Sequence, residues 1–514
     1  MQDYLIVLEK ARELSPKARR DKLIPLATNS IISQSFNYIF ANKNARELMR
    51  ALVDLSSDKQ VSAIVAHYID INSNKLVLLM ENAEDAKLKK SCAQLLGKLR
   101  PDEFSQTLME CLSREKTEFV KPSIILALGN AKNSEGVYDF LKDYRITAEE
   151  KKHVDEQRLA LDKAMSMLKS DKLEYKMINP LEKGTKLLLN CPSVRVSQRE
   201  ITALGYDAAI ISERDNYLLV KGVLKYRRIF AARSFYKAYI VFNEFTNFQA
   251  ALTAAASNKF INFVRNLYGE GELEYRISIT GEASREERKK FSESLASKIR
   301  QKGFMNSPSA YMFEIAIVEA GRGYFLTILP QNQLDDRFDY KKMSISASIH
   351  PAAAASCVSF ISPYLKDEAK VLDCFCGSGT MLFERAKRPY GSLMGTDIAK
   401  EALKAARLNE KFAKTGAHFY LKNALSNFED QFDEVICNLP FGLRVGSHMK
   451  NEQLYSRFLS NLKGIVKKGG YAFLFTHDKK LLLELIDRVG IELVSKHTFS
   501  CGGLYPSMFV LKIN

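Results

Sequence analysis

Val371-Leu372-Asp373-Cys374-Phe375-Cys376-Gly377-Ser378-Gly379-Thr380 closes an apolar run and opens onto a helix-like stretch, Met381 to Arg388. A strand that ends in a glycine-rich turn and then enters a helix lets backbone approach a ligand closely and aims helix N-terminal amides at it. No third glycine follows two residues after Thr380, so the full dinucleotide fingerprint fails and a nicotinamide cofactor is disfavoured. Around this turn the apolar runs KVLDCF (370–375), LMGTDI (393–398), EVICNLP (434–440) and YAFLFTH (471–477) alternate with helical segments. Strands so nearly continuous in apolar residues are buried on both faces, as in a parallel, doubly wound sheet. Residues 346–514 are therefore expected to form a Rossmann-like α/β domain.

Two further positions give this turn a chemistry. Asp397 lies 397 − 373 = 24 residues after Asp373, at the end of the next apolar run. A short carboxylate there can accept both ribose hydroxyls of a nucleoside cofactor. Asn438-Leu439-Pro440-Phe441 comes 438 − 373 = 65 residues after Asp373 and follows the run EVIC. The Asn438 side-chain oxygen and the Leu439 carbonyl can accept the two hydrogens of an amino group and build negative character on its nitrogen. Pro440 would hold those acceptors convergent, and Phe441 offers a face for a planar base. The pattern fits methylation of an exocyclic or amide nitrogen, a reaction that needs alignment and a later proton loss more than a strong base.

These residues resemble the N-P-P-Y/F group of class I methyltransferases. The run NLPFGLRVGSHMKNEQLY (438–455), with THDKKLL (476–482), is similar to the THUMP-containing tRNA guanine-N2 methyltransferases. DDRFDYKKMSISASIHPAAAASC (335–357) resembles that family's junction between THUMP and catalytic domains. The resemblance implies that Asp373, Phe375, Cys376, Gly377, Gly379, Thr380, Asp397, Ile398, Asn423, Ala424 and Asn438 contact S-adenosylmethionine. It implies further that Asn438, Leu439, Pro440 and Phe441 hold the guanine amino group. Three positions depart from the family pattern: Cys374 stands where proline is more usual, Asn423 replaces an aspartate, and Leu439 replaces the first proline. Arg337, Lys341, His350 and Arg444 flank the expected substrate entrance and are candidates for RNA contact. No metal ligand set is indicated, and Cys376 and Cys437, beside the turn and Asn438, read as small packing residues.

Upstream, residues 1–175 carry helical periodicity without β-rich alternation. LKKSCAQLLGKL (88–99) and VKPSIILALGNA (120–131) align on Gly97 and Gly129, an offset of 129 − 97 = 32 residues. The pair resembles HEAT-type repeats, whose stacked units present a surface to RNA or to a protein partner. Between 176 and 345 strands and helices alternate. The order EYRISITG (274–281), a basic helix (284–301), AYMFEIAIVEA (310–320) and GYFLTILP (323–330) resembles a THUMP-like α+β region. The expected fold is thus multidomain: all-α HEAT-like repeats, a THUMP-like region, then the methyltransferase domain.

The 514 residues carry a formal charge of +16, which favours a polyanionic partner, with tRNA first. Eight scattered cysteines without a C-x-x-C pair argue against a disulfide scaffold or a zinc ribbon. No apolar run approaches the length of a membrane span and the N-terminus lacks a signal-peptide core, so a reduced, cytoplasmic protein is expected. The alternatives left open are adenine-N6 methylation of DNA or RNA, methylation of a glutamine amide, guanine-N2 methylation of rRNA, and a catalytically idle scaffold that uses the helical repeats.

Overall fold

The computed structural model describes residues 1–169, 177, 179–281, 284–307, 311–331, 335–346, 348–441 and 447–514. The chain forms two compact units. One comprises Met1–Tyr175 with Gly271–Ile277 and Ala296–Phe313; the other comprises Lys176–Glu270, Ser278–Leu295 and Glu314–Asn514. Among the described residues no helix is long and apolar enough to cross a membrane.

Up to Lys169 the first unit is helical throughout. Starts are set locally: the Asp58 carboxylate accepts from the amides of Gln60 and Val61, and Asp85 accepts from those of Lys87 and Leu88. Such side-chain caps satisfy amides that the first helical turn leaves without partners. Helices Ala45–Leu55, Ala86–Leu99, Lys121–Leu128 and Lys151–Lys169 pack one against the next. The glycines that align in the sequence occupy equivalent crossings. A Cβ on Gly97 would fall 2.3 Å from the Ala127 Cβ, and one on Gly129 would fall 2.6 Å from the Ala164 Cα. Asn130 then ties the crossing by donating to the Gly97 carbonyl at 2.8 Å. Alanine at Gly97 would gain up to ~1 kcal/mol of helix propensity. The overlap with Ala127 outweighs this, because pushing two packed helices apart costs about 1–3 kcal/mol. Gly97→Ala is expected to lower the melting temperature of this unit, read by circular dichroism at 222 nm; an unchanged or raised value would show that the crossing yields freely.

In the rest of the chain β1 (Lys186–Asn190), β2 (Asp207–Ser212), β3 (Tyr217–Lys221) and β4 (Lys237–Phe245) come first. β5 (Leu273–Ile279) and β6 (Phe304–Asn306) pair in parallel, and β7 (Phe313–Ala320) and β8 (Gly323–Pro330) follow. In the second unit the strand order is β2-β3-β1-β4-β8-β7, with antiparallel pairing from β2 through β8. The last seven strands are β9 (Lys370–Asp373), β10 (Ser392–Asp397), β11 (His418–Leu421), β12 (Phe432–Asn438), β13 (Val466–Thr476), β14 (Glu492–Thr498) and β15 (Ser507–Lys512). They form one sheet in the order β11-β10-β9-β12-β13-β15-β14.

The expectation of a parallel sheet holds from β11 to β13 and fails beyond it: β15 runs antiparallel to both β13 and β14. Strands β14 and β15 are joined by only a short connection, too short for the crossover that parallel neighbours require, so the second must return alongside the first. The sheet interior is apolar, with Leu372, Val435, Ile436, Phe473, Leu474 and Val510 fully buried. One charged pair is sunk in it. Arg385 and Glu434 are both inaccessible, joined at 2.8 and 3.1 Å.

Candidate cofactor and acceptor site

Sheet order reverses between β9 and β12: from β9 the chain proceeds outward through β10 and β11, then returns to β12 on the other side. Ligands of open α/β sheets lie at such a reversal, outside the carboxyl ends of the strands. Asp373 ends β9, Thr396 and Asp397 end β10, Asn438 ends β12 and Thr476 ends β13. Residues far apart in the chain therefore share one rim of the sheet.

The glycine turn is held by its own backbone and by β10. Asp373 Oδ1 accepts from Phe375 N at 3.0 Å, and Cys376 N donates to the Thr396 carbonyl at 3.0 Å. Gly377 N donates to Asp397 Oδ2 at 2.9 Å, while Asp397 Oδ1 accepts from Ala399 N at 2.8 Å. Gly377 (φ +53°) and Gly379 (φ +84°) are both left-handed. At Gly379 space is also decisive, since a Cβ would lie 2.6 Å from the Phe383 ring. Thr380 is buried at the start of the following helix. Cys374 N points to Cys437 Sγ at 3.3 Å, and burial pushes the Cys376 and Cys437 thiols up. Neither is a ready nucleophile.

Three polar atoms on this rim are buried without a hydrogen-bond partner: Asp373 Oδ2, Thr396 Oγ1 and Asn438 Oδ1. Burial, reinforced by the nearby Asp397 charge, pushes the Asp373 carboxyl up to about 7. A buried polar atom with no partner is costly, so three on one rim, among the described residues, make it a candidate place for a ligand to supply the missing hydrogen bonds. Beyond Asn438, Leu439 N donates to the Phe475 carbonyl at 2.9 Å. The half-buried Phe441 ring sits 6.1 Å from the rings of both Phe475 and His477.

The other candidates divide. Phe375 is half-buried and packs edge-on against Phe458 at 5.2 Å, whereas Ile398 is exposed beyond β10. Asn423 is exposed and Ala424 buried; Asn423 Oδ1 already accepts from Leu425 N at 2.9 Å, leaving one lone pair for an outside donor. Arg337 is corrected to a structural residue. It is 4% exposed, its guanidinium grips Asp335 at 2.8 Å twice and donates to the carbonyls of Ala232, Arg233 and Phe235. No phosphate can reach it without breaking that set.

Lys341 is also turned inward, donating to the Ile349 carbonyl at 2.7 Å, and burial pulls it down to about 8. His350 caps the helix Pro351–Ile361, accepting from Ala352 N at 3.1 Å; burial lowers it to about 4, so it is the neutral acceptor the cap needs. Arg444 lies outside the described residues. Sequence reasoning gave no role to Thr396, Asn451, Tyr455 or Thr476. The i, i+4 spacing of Asn451 and Tyr455 in a helix is the one signal that could have paired any of them. Among the described residues no group of three or more His, Cys, Asp or Glu could hold a metal ion.

Residues 339–506 match the model of the UPF0020 family, described as an RMKL-like methyltransferase domain. The match, over about a third of the chain, is to a methyltransferase domain. The chain is similar to the tRNA (guanine(6)-N2)-methyltransferase of Methanocaldococcus jannaschii, 24% identical over 35% of this chain and 57% of the relative. It is likewise similar to the enzyme of that name from Thermus thermophilus (29% identical; 37% of this chain, 58% of the relative). It also resembles the ribosomal protein L11 methyltransferase of Neisseria gonorrhoeae (28%; 33% and 47%). The chain thus spans about half the length of these curated relatives. Among solved structures, TrmN from Thermus thermophilus superposes with a TM-score of 0.52 at 20% identity, covering 64% of this chain and all of TrmN. The UPF0020 match takes in only 168 of the 514 residues (506 − 339 + 1), so the shared fold extends well beyond the methyltransferase domain.

Proposed function

We propose that the protein transfers a methyl group from S-adenosylmethionine to the exocyclic N2 of a guanosine in RNA, with tRNA as the substrate. The observation that carries the reading is the buried, unpartnered Asn438 Oδ1 at the end of β12, followed by Leu439-Pro440-Phe441. An acceptor oxygen preorganised there, with an aromatic face beside it, suits a planar base that presents an amino group.

The residues present fit the cofactor. Asp373 Oδ2 and Thr396 Oγ1 are orphan polar atoms at the ends of β9 and β10, and Gly377 leaves room where a side chain would reach towards Ile345, 3.5 Å from its Cβ position. When bound, the cofactor supplies an electrophilic methyl on a sulfonium with a neutral thioether leaving group. Asp373 with Phe375, Cys376, Gly377, Gly379 and Thr380 would hold its amino-acid end, Asp397 with Ile398 its ribose, and Asn423 with Ala424 its base. Asn438 and Leu439 would orient the acceptor nitrogen, Pro440 would fix the two acceptors, and Phe441 would stack on the ring.

The charge distribution supports an RNA contact outside the N-terminal region. Residues 1–175 hold 28 Lys and Arg against 26 Asp and Glu, a net +2. Residues 176–345 hold 26 against 18 (+8), and residues 346–514 hold 22 against 16 (+6), completing the +16. Phosphate neutralisation belongs to the second and third of the proposed domains, a THUMP-like 176–345 and a catalytic 346–514. The near-neutral 1–175, read as HEAT-like repeats, suits a protein partner better. The names of the two guanine-N2 relatives support the same substrate.

The test incubates the protein with methyl-labelled S-adenosylmethionine and a tRNA fraction, then digests the RNA and identifies the labelled nucleoside. Label in N2-methylguanosine is expected. Label in methyladenosine would reassign the base, and label in neither nucleoside would overturn the reading.

A further inference from the structure

The acceptor loop is gripped from a direction the reaction itself does not require. The helix Ser447–Ile465 places Asn451 and Tyr455 four residues apart, hence on one face. Both donate to the same atom: Asn451 Nδ2 reaches the Pro440 carbonyl at 2.9 Å and Tyr455 Oη reaches it at 2.5 Å. The two donors use both lone pairs of one backbone oxygen. Tyr455 Oη also meets Thr476 Oγ1 at 2.8 Å, and Thr476 Oγ1 accepts from Asp478 N at 3.0 Å. Because the tyrosine hydrogen goes to Pro440, the threonine hydroxyl donates to Tyr455. Asn451, Tyr455 and Thr476 are all buried, and burial holds the tyrosine firmly in its neutral, donating form.

This grip has a geometric consequence for Leu439. Its amide is fixed to the Phe475 carbonyl on one side. On the other, proline allows a single φ, so holding the Pro440 carbonyl leaves the intervening peptide little freedom to rotate. The Leu439 carbonyl and the Asn438 side chain are thereby kept aimed together.

We propose that Asn451 and Tyr455, with Thr476 behind them, are positioning residues that fix the acceptor pair Asn438–Leu439 for methyl transfer. This rests on the reading of Asn438 and Leu439 as acceptors of an amino group. The clamp touches neither substrate nor cofactor; it acts through the loop. Removing one hydroxyl from it therefore reduces turnover and leaves binding intact.

The experiment compares wild type with Tyr455→Phe, Asn451→Ala and Thr476→Val, using labelled S-adenosylmethionine and the tRNA fraction. Each variant is expected to lose about ten- to a hundred-fold in kcat, with RNA KM and cofactor Kd close to wild type and melting temperature lowered by only the few degrees that one lost buried hydrogen bond brings. In an Asn438→Ala background, Tyr455→Phe is expected to add little further loss, since both act through one group. Unchanged kcat in Tyr455→Phe would overturn the proposal, as would a full further loss in the Asn438→Ala background. A loss that tracks melting temperature would show general folding support and would equally overturn it. If wild type transfers no methyl to RNA, the functional reading fails, and crystal structures decide the clamp. A turned Pro440 carbonyl in Tyr455→Phe upholds it, and an unmoved one overturns it.

Discussion

Asn438→Ala is expected to lower methyl transfer about 10²- to 10³-fold while the cofactor still binds. The truncated side chain has its oxygen buried and unsatisfied, at the strand end beside the reversal point of the sheet. Among the described residues nothing depends on that oxygen for a hydrogen bond, so its removal costs the fold little. On the proposed function, what is lost is a preorganised acceptor for the amino group, with no reorganisation needed when charge develops on the nitrogen. Asp373 on β9 and Thr396 and Asp397 on β10, proposed above to hold the cofactor, are left untouched. Single-turnover transfer of labelled methyl, set beside equilibrium dialysis of the cofactor, separates the two effects. A near wild-type rate would remove Asn438 from the mechanism; a matching loss of cofactor affinity would move it from the acceptor to the cofactor.

Glu434→Leu is expected to destabilise the second unit by about 3–5 kcal/mol, because it leaves the Arg385 charge buried without its counterion. Arg385 and Glu434 are both fully inaccessible and doubly bonded. Replacing both partners with apolar residues often repairs such a site. Here it would not, because the pair also serves the backbone. Arg385 donates to the carbonyls of Lys366 and Pro389, and Glu434 Oε1 accepts from Lys366 N at 2.7 Å. Arg385→Met with Glu434→Leu would leave those groups without partners, so the double variant should stay well below wild type. Thermal melting reads both, with a drop on the order of 10 °C for the single change. Recovery of wild-type stability in the double variant would show that the backbone groups find water instead.

How much of this was legible depended on whether the signal was local. The glycine turn, Asp397 and Asn438 stand at strand ends, where an apolar run stops and a polar or glycine residue begins. That pattern is visible without tertiary information, as are the aligned Gly97 and Gly129, although not the alanines that meet them. Arg337 and Lys341 misled because a basic residue near a substrate entrance looks the same whether it faces solvent or carbonyls. Only the folded chain brings Asp335, Ala232, Arg233 and Phe235 around Arg337. The antiparallel β15 escaped for a similar reason: a buried apolar strand does not announce its direction.

The sequence by itself determined the helical character of the N-terminal region, the doubly wound sheet and the three strand-end motifs of the methyltransferase domain. All of these follow from periodicity and from residue types within a few positions of one another. Tertiary structure alone decided which strands are neighbours and which polar atoms lack partners. It also decided which basic residues turn inward, and that one helix face holds the Pro440 carbonyl. Each of these depends on contacts that only the folded chain makes, from Lys341 with Ile349 to Arg337 with Ala232, where burial and partner geometry, rather than local preference, set the outcome.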